Sequence, residues 1–131
     1  MSQFGVQIHK KTDRKLSGNG KLKLKSRDKK RHEVGGYFSA TRLGKENATV
    51  DRRVRGGAVR KRLKYALYAN LITKDGFKKV KINAILESPD NRNFARLNIM
   101  TKGTVIDTEA GKAKIINRPG REGNVVAKLL A

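Results

Sequence analysis

The side chains best able to do chemistry in this chain are cations, and they are densest in one run near the amino terminus. Such a run cannot relieve its own repulsion by forming a core, but it can do so by replacing counterions condensed on a phosphate backbone. A solvated tail or a localisation signal is the alternative. The whole chain has 32 Lys and Arg against 11 Asp and Glu, a formal net charge of +21, which favours nucleic-acid binding. The run lies within residues 21–31 and consists of Lys21, Lys23, Lys25, Arg27, Lys29, Lys30 and Arg31.

Few residues could support acid–base, nucleophilic or metal chemistry. The chain has no Cys and two His, His9 and His32, which lie far apart in the sequence. Disulfides, thiolate metal sites and thiol nucleophiles are therefore excluded. Asp107 and Glu109 share a predicted strand face, but Lys112 and Lys114 on the next run make cross-strand ion pairs the simpler interpretation. We predict no catalytic residue, no metal site, no cofactor and no small-molecule substrate.

Three further motifs are weak. Arg55-Gly56-Gly57 is either an RGG element or a hinge at which glycine lets the backbone approach phosphate, and the hinge is favoured. Gly18-Asn19-Gly20 lacks the Lys and Ser or Thr that end a phosphate-binding P-loop, so a turn beside RNA is the better interpretation. Lys74-Asp75-Gly76-Phe77 is similar to part of a ribonucleoprotein motif, but Lys79, Val80 and Lys81 stand where aromatic residues should follow. We interpret that match as accidental.

Composition changes at Gly57 and divides the chain into two parts. Hydrophobic residues make up 15 of the first 57 residues but 33 of the last 74, so only the second part can form a core alone. The first part holds 8 of the 13 Gly. Without a partner, it would bury too little apolar surface to offset the conformational entropy that is lost on folding. We predict a basic, RNA-ordered N-terminal extension over residues 1–56 and a β-barrel domain over residues 57–131.

Two alternating runs in the second part predict a β-hairpin. Apolar side chains alternate through residues 62–71, although a helix through Val59, Leu63 and Leu67 fits the same spacing. Asp75-Gly76 separates this run from a second alternating run over residues 79–86, and Asp-Gly in that position favours strands.

The remaining pattern predicts a small barrel. Ser88 as N-cap and Pro89 at the first helical position predict a short helix ending near Leu97. Three short strands follow, over residues 104–109, 112–117 and 124–130, with glycine turns between them. The predicted fold class is mainly β: a small closed or nearly closed β-barrel with a short helix and a long basic N-terminal extension. Its predicted core includes Leu63, Leu67, Val80, Ile82, Val105, Ile115 and Val125.

No secretory signal or membrane span is evident in the sequence. The start, MSQFGVQIHKK, has no apolar h-region, and no stretch of 18 consecutive apolar residues occurs. We therefore expect a soluble cytoplasmic protein with no membrane partner.

The most specific motifs lie in residues 98–127, NIMTKGTVIDTEAGKAKIINRPGREGNVVA. This segment contains NI-x-TKG, TE-x-GKA and RPG-x-x-G-x-V at fixed spacing. Other matching segments are RVRGG at 53–57, the basic strand ending in YAN at 68–70, ESPDN at 87–91, AR at 95–96 and, more loosely, RKLSG at 14–18 and KKRHEVG at 29–35. Over nearly its whole length the chain resembles the small-subunit ribosomal protein eight of the eukaryotic and archaeal type, a family unrelated to the bacterial protein of that number.

The resemblance is closest to compact archaeal members, because the chain carries no insertions. It departs from the family pattern at Leu16, where Pro is usual, at Ala58, where Asn is usual, at Leu97, where a second Arg is usual, and at Arg121-Glu122, where Gln-Asp is usual. The resemblance implies a β-barrel with a long basic arm on the ribosomal RNA of the small subunit.

The predicted function is that of a structural constituent of the small ribosomal subunit, located in cytoplasmic ribosomes. Its predicted partners are small-subunit ribosomal RNA and other ribosomal proteins of that subunit. With 3 Tyr, 4 Phe and no Trp, aromatic residues are too sparse for stacking platforms, which favours binding by phosphate neutralisation and shape. A DNA-compacting architectural protein is the alternative, and an RNA-processing enzyme is a weaker one because no acid–base constellation is present.

The candidate RNA-binding residues are cations that can contact phosphate or ribose and small residues that let backbone amides approach RNA. Arginines rank above lysines individually, because a guanidinium can fork onto two phosphate oxygens. The cations of the arm are Lys10, Lys11, Arg14, Lys15, Lys21, Lys23, Lys25, Arg27, Lys29, Lys30 and Arg31, and the domain-side cations are Arg52, Arg53, Arg55, Arg60, Arg92, Arg96, Arg118 and Arg121. The small residues are Ser17, Gly18, Gly20, Gly35, Gly36, Gly56 and Gly57.

Overall fold

A computed structural model describes residues 14–15, 18–23, 27, 30–74 and 76–130. Its contacts divide the chain into two compact units, Met1–Phe38 and Ser39–Ala131, here called the N-terminal unit and the barrel unit. The barrel unit therefore starts eighteen residues before the boundary that composition predicts at Gly57. Residues 39–56 belong to it because they form two strands that pair with a strand beyond Gly57.

The described part of the N-terminal unit contains a tight turn and one short helical turn. Arg14 forms an isolated antiparallel bridge with Leu22, and the Lys15 amide donates to the Lys21 carbonyl at 2.9 Å. Between them Gly18 and Gly20 adopt φ values of +75° and +69°, which the missing Cβ makes accessible. The turn predicted at residues 18–20 is therefore present. Arg31–Glu33 form a single 3-10 turn.

The barrel unit contains eight strands and two short helices in its described residues. The strands are β1 (Arg42–Leu43), β2 (Ala48–Arg53), β3 (Val59–Ala66), β4 (Tyr68–Thr73), β5 (Gly76–Glu87), β6 (Val105–Thr108), β7 (Gly111–Ile115) and β8 (Val126–Leu129), and the helices are α1 (Arg92–Arg96) and α2 (Pro119–Glu122). Strands β4 to β8 form a closed barrel in sequence order, antiparallel except where β8 meets β4, and β1, β3 and β2 form a separate three-stranded sheet in that order. The predicted mainly-β fold with a closed barrel and a short helix is confirmed.

The barrel interior holds the core. Its centre is made of residues from all five barrel strands, from the end of β3 and from the segments that precede β6 and β8. Five of the seven predicted core residues are buried, while Leu67 and Val105 are half-buried. The buried apolar side chains are Leu63, Ala66, Ala69, Leu71, Val80, Ile82, Ile99, Met100, Ile106, Ala113, Ile115, Val125 and Ala127.

The predicted single strand over residues 62–71 is wrong, because the chain changes sheet at Leu67. In β3, Leu63 pairs with Thr49 and Tyr65 pairs with Ala48, so Lys64 has no partner in β2 and forms a bulge. The bulge reverses the alternation: Ala66 is buried and Tyr65 is exposed. The side chain of Asn47 then accepts hydrogen bonds from the Leu67 amide at 2.7 Å and the Tyr68 amide at 3.4 Å, which satisfies the backbone at the break.

The hairpin predicted after Thr73 is present, with Thr73 paired to Gly76 across a two-residue loop; Asp75 lies outside the described residues. The predicted helix start is wrong. Asn91, not Ser88, is the N-cap of α1, and its side chain accepts from the Asn93 amide at 2.9 Å. Ser88 is buried instead, with its hydroxyl 3.5 Å from the Thr104 hydroxyl.

Candidate nucleic-acid interface

Strands β2 and β3 form a ribbon that is largely exposed and strongly basic. Their register sets Arg52 opposite Arg60 and Val50 opposite Arg62, and residues opposite one another in an antiparallel pair project to the same side. Three guanidinium groups therefore share one face. Burial and then the charges of Arg52 and Arg60 lower the pKa of Arg62 from its usual value. This surface is repulsive within itself, so an anion placed on it is stabilised.

The turn that joins the two strands is built on two glycines. The Gly57 amide donates to the Val54 carbonyl at 3.2 Å, and the Val54 amide donates to the Ala58 carbonyl at 2.8 Å. Gly56 and Gly57 have φ values of +86° and +83°, a region that other residues rarely adopt. The predicted hinge is thus a tight turn at the tip of the ribbon, flanked by Arg53 and Arg55, both exposed.

Helix α2 begins at a proline and ends at a left-handed glycine, two features that favour a short, sharply bounded turn. Pro119 occupies the first position and is buried, and Gly123 follows the last position with a φ of +78°. The Arg118 amide donates to Oε1 of Glu122 at 3.3 Å. The segment 118–123, which the sequence predicts only as a turn between strands, therefore forms a helical turn that holds Arg118 and Arg121 on its exposed side.

A short hydrogen-bond chain and two close backbone approaches fix α2 against β3. Nη1 of Arg62 donates to Oγ of Ser39 at 3.4 Å, and that hydroxyl donates to the Gly120 carbonyl at 3.0 Å. A Cβ at Gly120 would lie 2.7 Å from the Ser39 Cβ, so only glycine fits there. A Cβ at Gly123 would lie 3.4 Å from the carbonyl oxygen of Lys61. Helix α2 therefore packs directly against the basic ribbon.

The result is one concave basic surface, here called the basic concavity. It encloses about 600 Å³ and is open to solvent. Lys102 reaches it from the turn before β6, where Oγ1 of Thr104 accepts from the Thr101 amide at 3.0 Å and orders the turn. Five cations and one carboxylate line it: Arg60, Lys61, Lys102, Arg118, Arg121 and Glu122.

Three of the candidate RNA-binding residues line the basic concavity: Arg60, Arg118 and Arg121. Arg52 lies opposite Arg60 on the ribbon face, and Arg53, Arg55, Gly56 and Gly57 are at or near the ribbon tip. Arg92 and Arg96 lie on α1 and are exposed, outside the concavity. The candidates Arg14, Lys15, Gly18, Gly20, Lys21, Lys23, Arg27, Lys30, Arg31, Gly35 and Gly36 belong to the N-terminal unit, and Lys10, Lys11, Ser17, Lys25 and Lys29 lie outside the described residues.

Lys61 and Lys102 of the basic concavity, and Arg62 on the adjoining ribbon face, are absent from the sequence-based candidates. The basic run Arg60, Lys61 and Arg62 in a predicted strand was the available signal, since alternation places Arg60 and Arg62 on one face and Lys61 on the other. The signal for Lys102 as a phosphate-binding residue was weaker, because it consisted only of a cation next to Gly103 in a turn. The position of Lys102 depends on a tertiary contact that periodicity does not report.

Arg27 has an acidic partner within the N-terminal unit. Its guanidinium donates to both carboxylate oxygens of Glu33, at 2.7 and 2.8 Å, and the Lys30 amide donates to the same carboxylate at 2.9 Å. The guanidinium of Arg27 and then the Lys30 amide lower the pKa of Glu33 to about 2. Phosphate contact by Arg27 would therefore compete with this forked ion pair.

No group of three His, Asp or Glu side chains that could hold a metal ion occurs among the described residues. None of the helices in the described part of the chain is long and apolar enough to cross a membrane. What the described residues do assemble is a surface for anions.

Fold and surface together define a small β-barrel protein with a concave basic face. A family model described as ribosomal protein S8e matches residues 8–130, and the chain belongs to that family. Membership confirms the family that the sequence motifs predict, and it makes the chain a structural ribosomal protein and not an enzyme.

Relatives from three archaea match most of the chain, and each is named small ribosomal subunit protein eS8. The protein of Sulfolobus acidocaldarius is 44% identical over 119 residues, which cover 89% of this chain and 91% of that protein. That of Hyperthermus butylicus is 39% identical over 125 residues, covering 94% and 92%. That of Nanoarchaeum equitans is 42% identical over 106 residues, covering 79% and 83%. The predicted similarity to archaeal members is confirmed.

Proposed function

We propose that this protein is a structural constituent of the small ribosomal subunit in cytoplasmic ribosomes, where it binds ribosomal RNA and adjoins other ribosomal proteins. Its relatives carry the name of a small-subunit protein, and the net charge of +21 favours a polyanionic partner. The N-terminal unit supplies sequence-independent affinity, and the barrel unit supplies a rigid docking surface.

One observation carries the proposal: cations from β3, from the turn before β6 and from α2 converge on the basic concavity. Cations on separate elements remain repulsive unless a ligand neutralises them together. An RNA backbone does so, because each phosphate that enters releases condensed counterions. The concavity holds three arginines, whose planar guanidinium groups can each contact two phosphate oxygens.

The shape of the surface also favours backbone recognition. The ribbon tip has no side chain at Gly56 or Gly57, so its backbone can approach a phosphate closely. The two strands behind it are exposed on both faces, with Arg52 and Arg60 on one side and Arg53 and Lys61 on the other. Such a ribbon can enter a groove of a structured RNA and contact phosphates on both sides of it.

The salt dependence of binding to a transcribed fragment of small-subunit ribosomal RNA tests this proposal. We expect Arg60→Gln and Arg118→Gln each to lower the slope of log affinity against log salt by about one. Lys112→Gln is the matched control, because Lys112 is an exposed barrel cation opposite Asp107 and outside the concavity. Equal slopes for all three variants and the unaltered protein would contradict a role for the concavity.

Competition between structured ribosomal RNA and duplex DNA of equal length separates the ribosomal function from DNA compaction. The first requires preference for the RNA at constant salt. Preference for duplex DNA would favour an architectural DNA-binding protein.

A further inference from the structure

The outer face of the β4–β5 hairpin is chemically different from the basic concavity. Ala69, Leu71 and Val80 point into the barrel and are buried, so the residues that alternate with them point outward. The outward positions form three cross-strand pairs: Tyr68 with Lys81, Asn70 with Lys79, and Ile72 with Phe77. We call this surface the hairpin face.

Exposed aromatic and apolar side chains lie along the hairpin face. Phe77 is 73% exposed, the highest value among the large hydrophobic residues described, and Ile72 opposite it is 39% exposed. Tyr68 is also 39% exposed, and the Lys79 ammonium lies 4.5 Å from the centre of its ring. Tyr68 and Phe77 are nine residues apart in sequence but share one face, about 13 Å apart along the strands. The sequence alone separates them and makes aromatic residues look too sparse for stacking.

The cross-strand pairs of the hairpin face carry only positive charge, although Glu109, whose amide donates to the Lys81 carbonyl at 3.3 Å, lies beside their Lys81 end. Lys79 and Lys81 belong to its cross-strand pairs, and Lys128 of β8 lies opposite Ile72 on the other side. None of the described residues in these pairs carries a carboxylate. An anionic occupant is therefore favoured over a neutral apolar one.

The kind of cation also differs between the two surfaces. Strands β4 to β8 contain six Lys and no Arg, whereas the rest of residues 39–131 contains ten Arg. The planar guanidinium group of arginine binds two phosphate oxygens in a fixed geometry. The ammonium group of lysine is a mobile point charge, so it can contact phosphates of a nucleic-acid backbone in many conformations. Mobile cations beside exposed aromatic rings are suited to a flexible strand, whose bases are free to stack.

We propose that the hairpin face binds a short unpaired segment of RNA, with a base stacked on Phe77, a second near Tyr68, and backbone phosphates contacted by Lys79, Lys81 and Lys128. The proposal rests on the proposed function only in that the ligand is RNA; it assigns a second surface and a different mode of recognition. It also gives a role to Phe77, the last residue of the Lys74–Phe77 motif. Phosphate neutralisation gives this uncharged side chain no role.

A tryptophan probe tests the stacking directly, because the chain contains no Trp. In the full-length Phe77→Trp protein, the single indole should be quenched by oligouridylate, which stays unpaired. A perfectly paired RNA duplex should bind through the basic concavity without quenching it. Binding of oligouridylate with unchanged fluorescence would overturn the proposal while leaving the proposed function intact, whereas failure of the unaltered protein to bind either RNA would overturn both.

Affinity measurements at raised salt supply the second test, since stacking is less sensitive to salt than phosphate contact. We expect Phe77→Leu to weaken oligouridylate binding about tenfold, and Phe77→Tyr to retain it, because only the second keeps an aromatic face. Leu86→Ala is the matched control: Leu86 is an exposed apolar residue of the same strand, 42% exposed, and lies outside the hairpin face. Thermal melting verifies that each variant is folded.

An acidic protein segment is the competing occupant, and oligoglutamate is its probe. An acidic protein segment that packs against Phe77 should still bind the Phe77→Leu variant, because such packing needs apolar surface and not an aromatic ring. If oligoglutamate binds the hairpin face with the affinity of oligouridylate, and Phe77→Leu changes neither, the RNA proposal is wrong.

Discussion

The forked contact between Arg27 and Glu33 makes this carboxylate the most perturbed acid among the described residues. Its pKa of about 2 is below the ordinary value of 4.5, so the contact contributes to local structure above pH 4.5 and is lost as the pH falls through about 2. Arg27 stays charged throughout. The interaction is thus fully present at neutral pH, where RNA would have to compete with it.

A pH titration of the Glu33 carboxyl carbon by NMR checks this interaction. We expect a midpoint near pH 2 in the unaltered protein and a shift toward pH 4.5 in Arg27→Gln, which removes the first cause of the lowered pKa. Arg14→Gln is the control, because it removes an equal charge without touching the fork. A midpoint near 4.5 in the unaltered protein would show that the fork does not form in solution.

Ile82 tests the packing of the barrel at the residue scale. Its side chain is 2% exposed and belongs to the core formed by all five barrel strands. Ile82→Ala removes three carbons and leaves a cavity, which should lower the free energy of unfolding by about 2–5 kcal/mol. Urea denaturation measures the loss. Leu86→Ala, on the exposed part of the same strand, should change it by less than about 1 kcal/mol, and similar losses for the two variants would contradict the assigned strand face.

At the scale of elements, α2 matters through its position more than through its length. Four residues cannot form a stable helix alone, so tertiary contacts maintain it. Gly120 is the narrowest of these contacts, with the Ser39 side chain occupying the space that any Cβ would need. We therefore expect Arg118 and Arg121 to leave the basic concavity if this contact is disrupted.

Gly120→Ala should therefore weaken RNA binding without removing any charge. A Cβ placed 2.7 Å from the Ser39 Cβ must displace α2, and we expect a stability loss of about 1–3 kcal/mol with a flatter salt slope. Ser39→Gly combined with Gly120→Ala restores the space and should recover part of the binding. The test is a double-mutant cycle on RNA affinity. Additive losses in the double variant would show that the clash is not the cause.

The strands were predictable where alternation is unbroken and not where the register shifts. The three strands after residue 104 follow their predicted positions because each is short and keeps one register. In β5 the register shifts between Ile82 and Ala84 and again between Ile85 and Glu87. Val80 and Ile82 are therefore buried as predicted, whereas Ala84 and Leu86, which continue the same alternation in sequence, are exposed. A bulge depends on the partner strand, and local periodicity carries no information about it.

The basic surface was only partly predictable for a related reason. Arg60 and Arg118 were candidates because they are arginines in a basic chain, and they are 58 residues apart. Their shared concavity depends on the packing of α2 against Ser39 and β3, which Gly120 permits because a Cβ there would clash with Ser39, and Gly123 permits through its positive φ. Residue type predicts which side chains can bind phosphate, but tertiary contact determines which of them act together.

At the scale of the whole molecule, positive charge is carried by both units but in different forms. Residues 1–38 contain eleven Lys and Arg and three Asp and Glu, for a net charge of +8, and residues 39–131 carry the remaining +13. In the barrel unit these charges are carried by the closed barrel and by the β2–β3 ribbon and helices attached to it, and the unit has its own core. The two units should therefore contribute to RNA binding in different ways. The N-terminal unit should raise affinity by neutralising many phosphates, and the barrel unit should raise specificity because its cations have a fixed geometry.

Deleting residues 1–38 separates these contributions. The remaining barrel unit keeps all eight described strands and should stay folded, as circular dichroism and thermal melting would verify. On the same ribosomal RNA fragment, the slope of log affinity against log salt should flatten by several units, because each lost phosphate contact removes about 0.7 to 0.9. The preference for structured ribosomal RNA over duplex DNA should persist, since the basic concavity is intact. An unchanged slope would mean that the cations of residues 1–38 remain in solvent. Loss of the preference would instead assign specificity to those residues, and the barrel would then supply affinity alone.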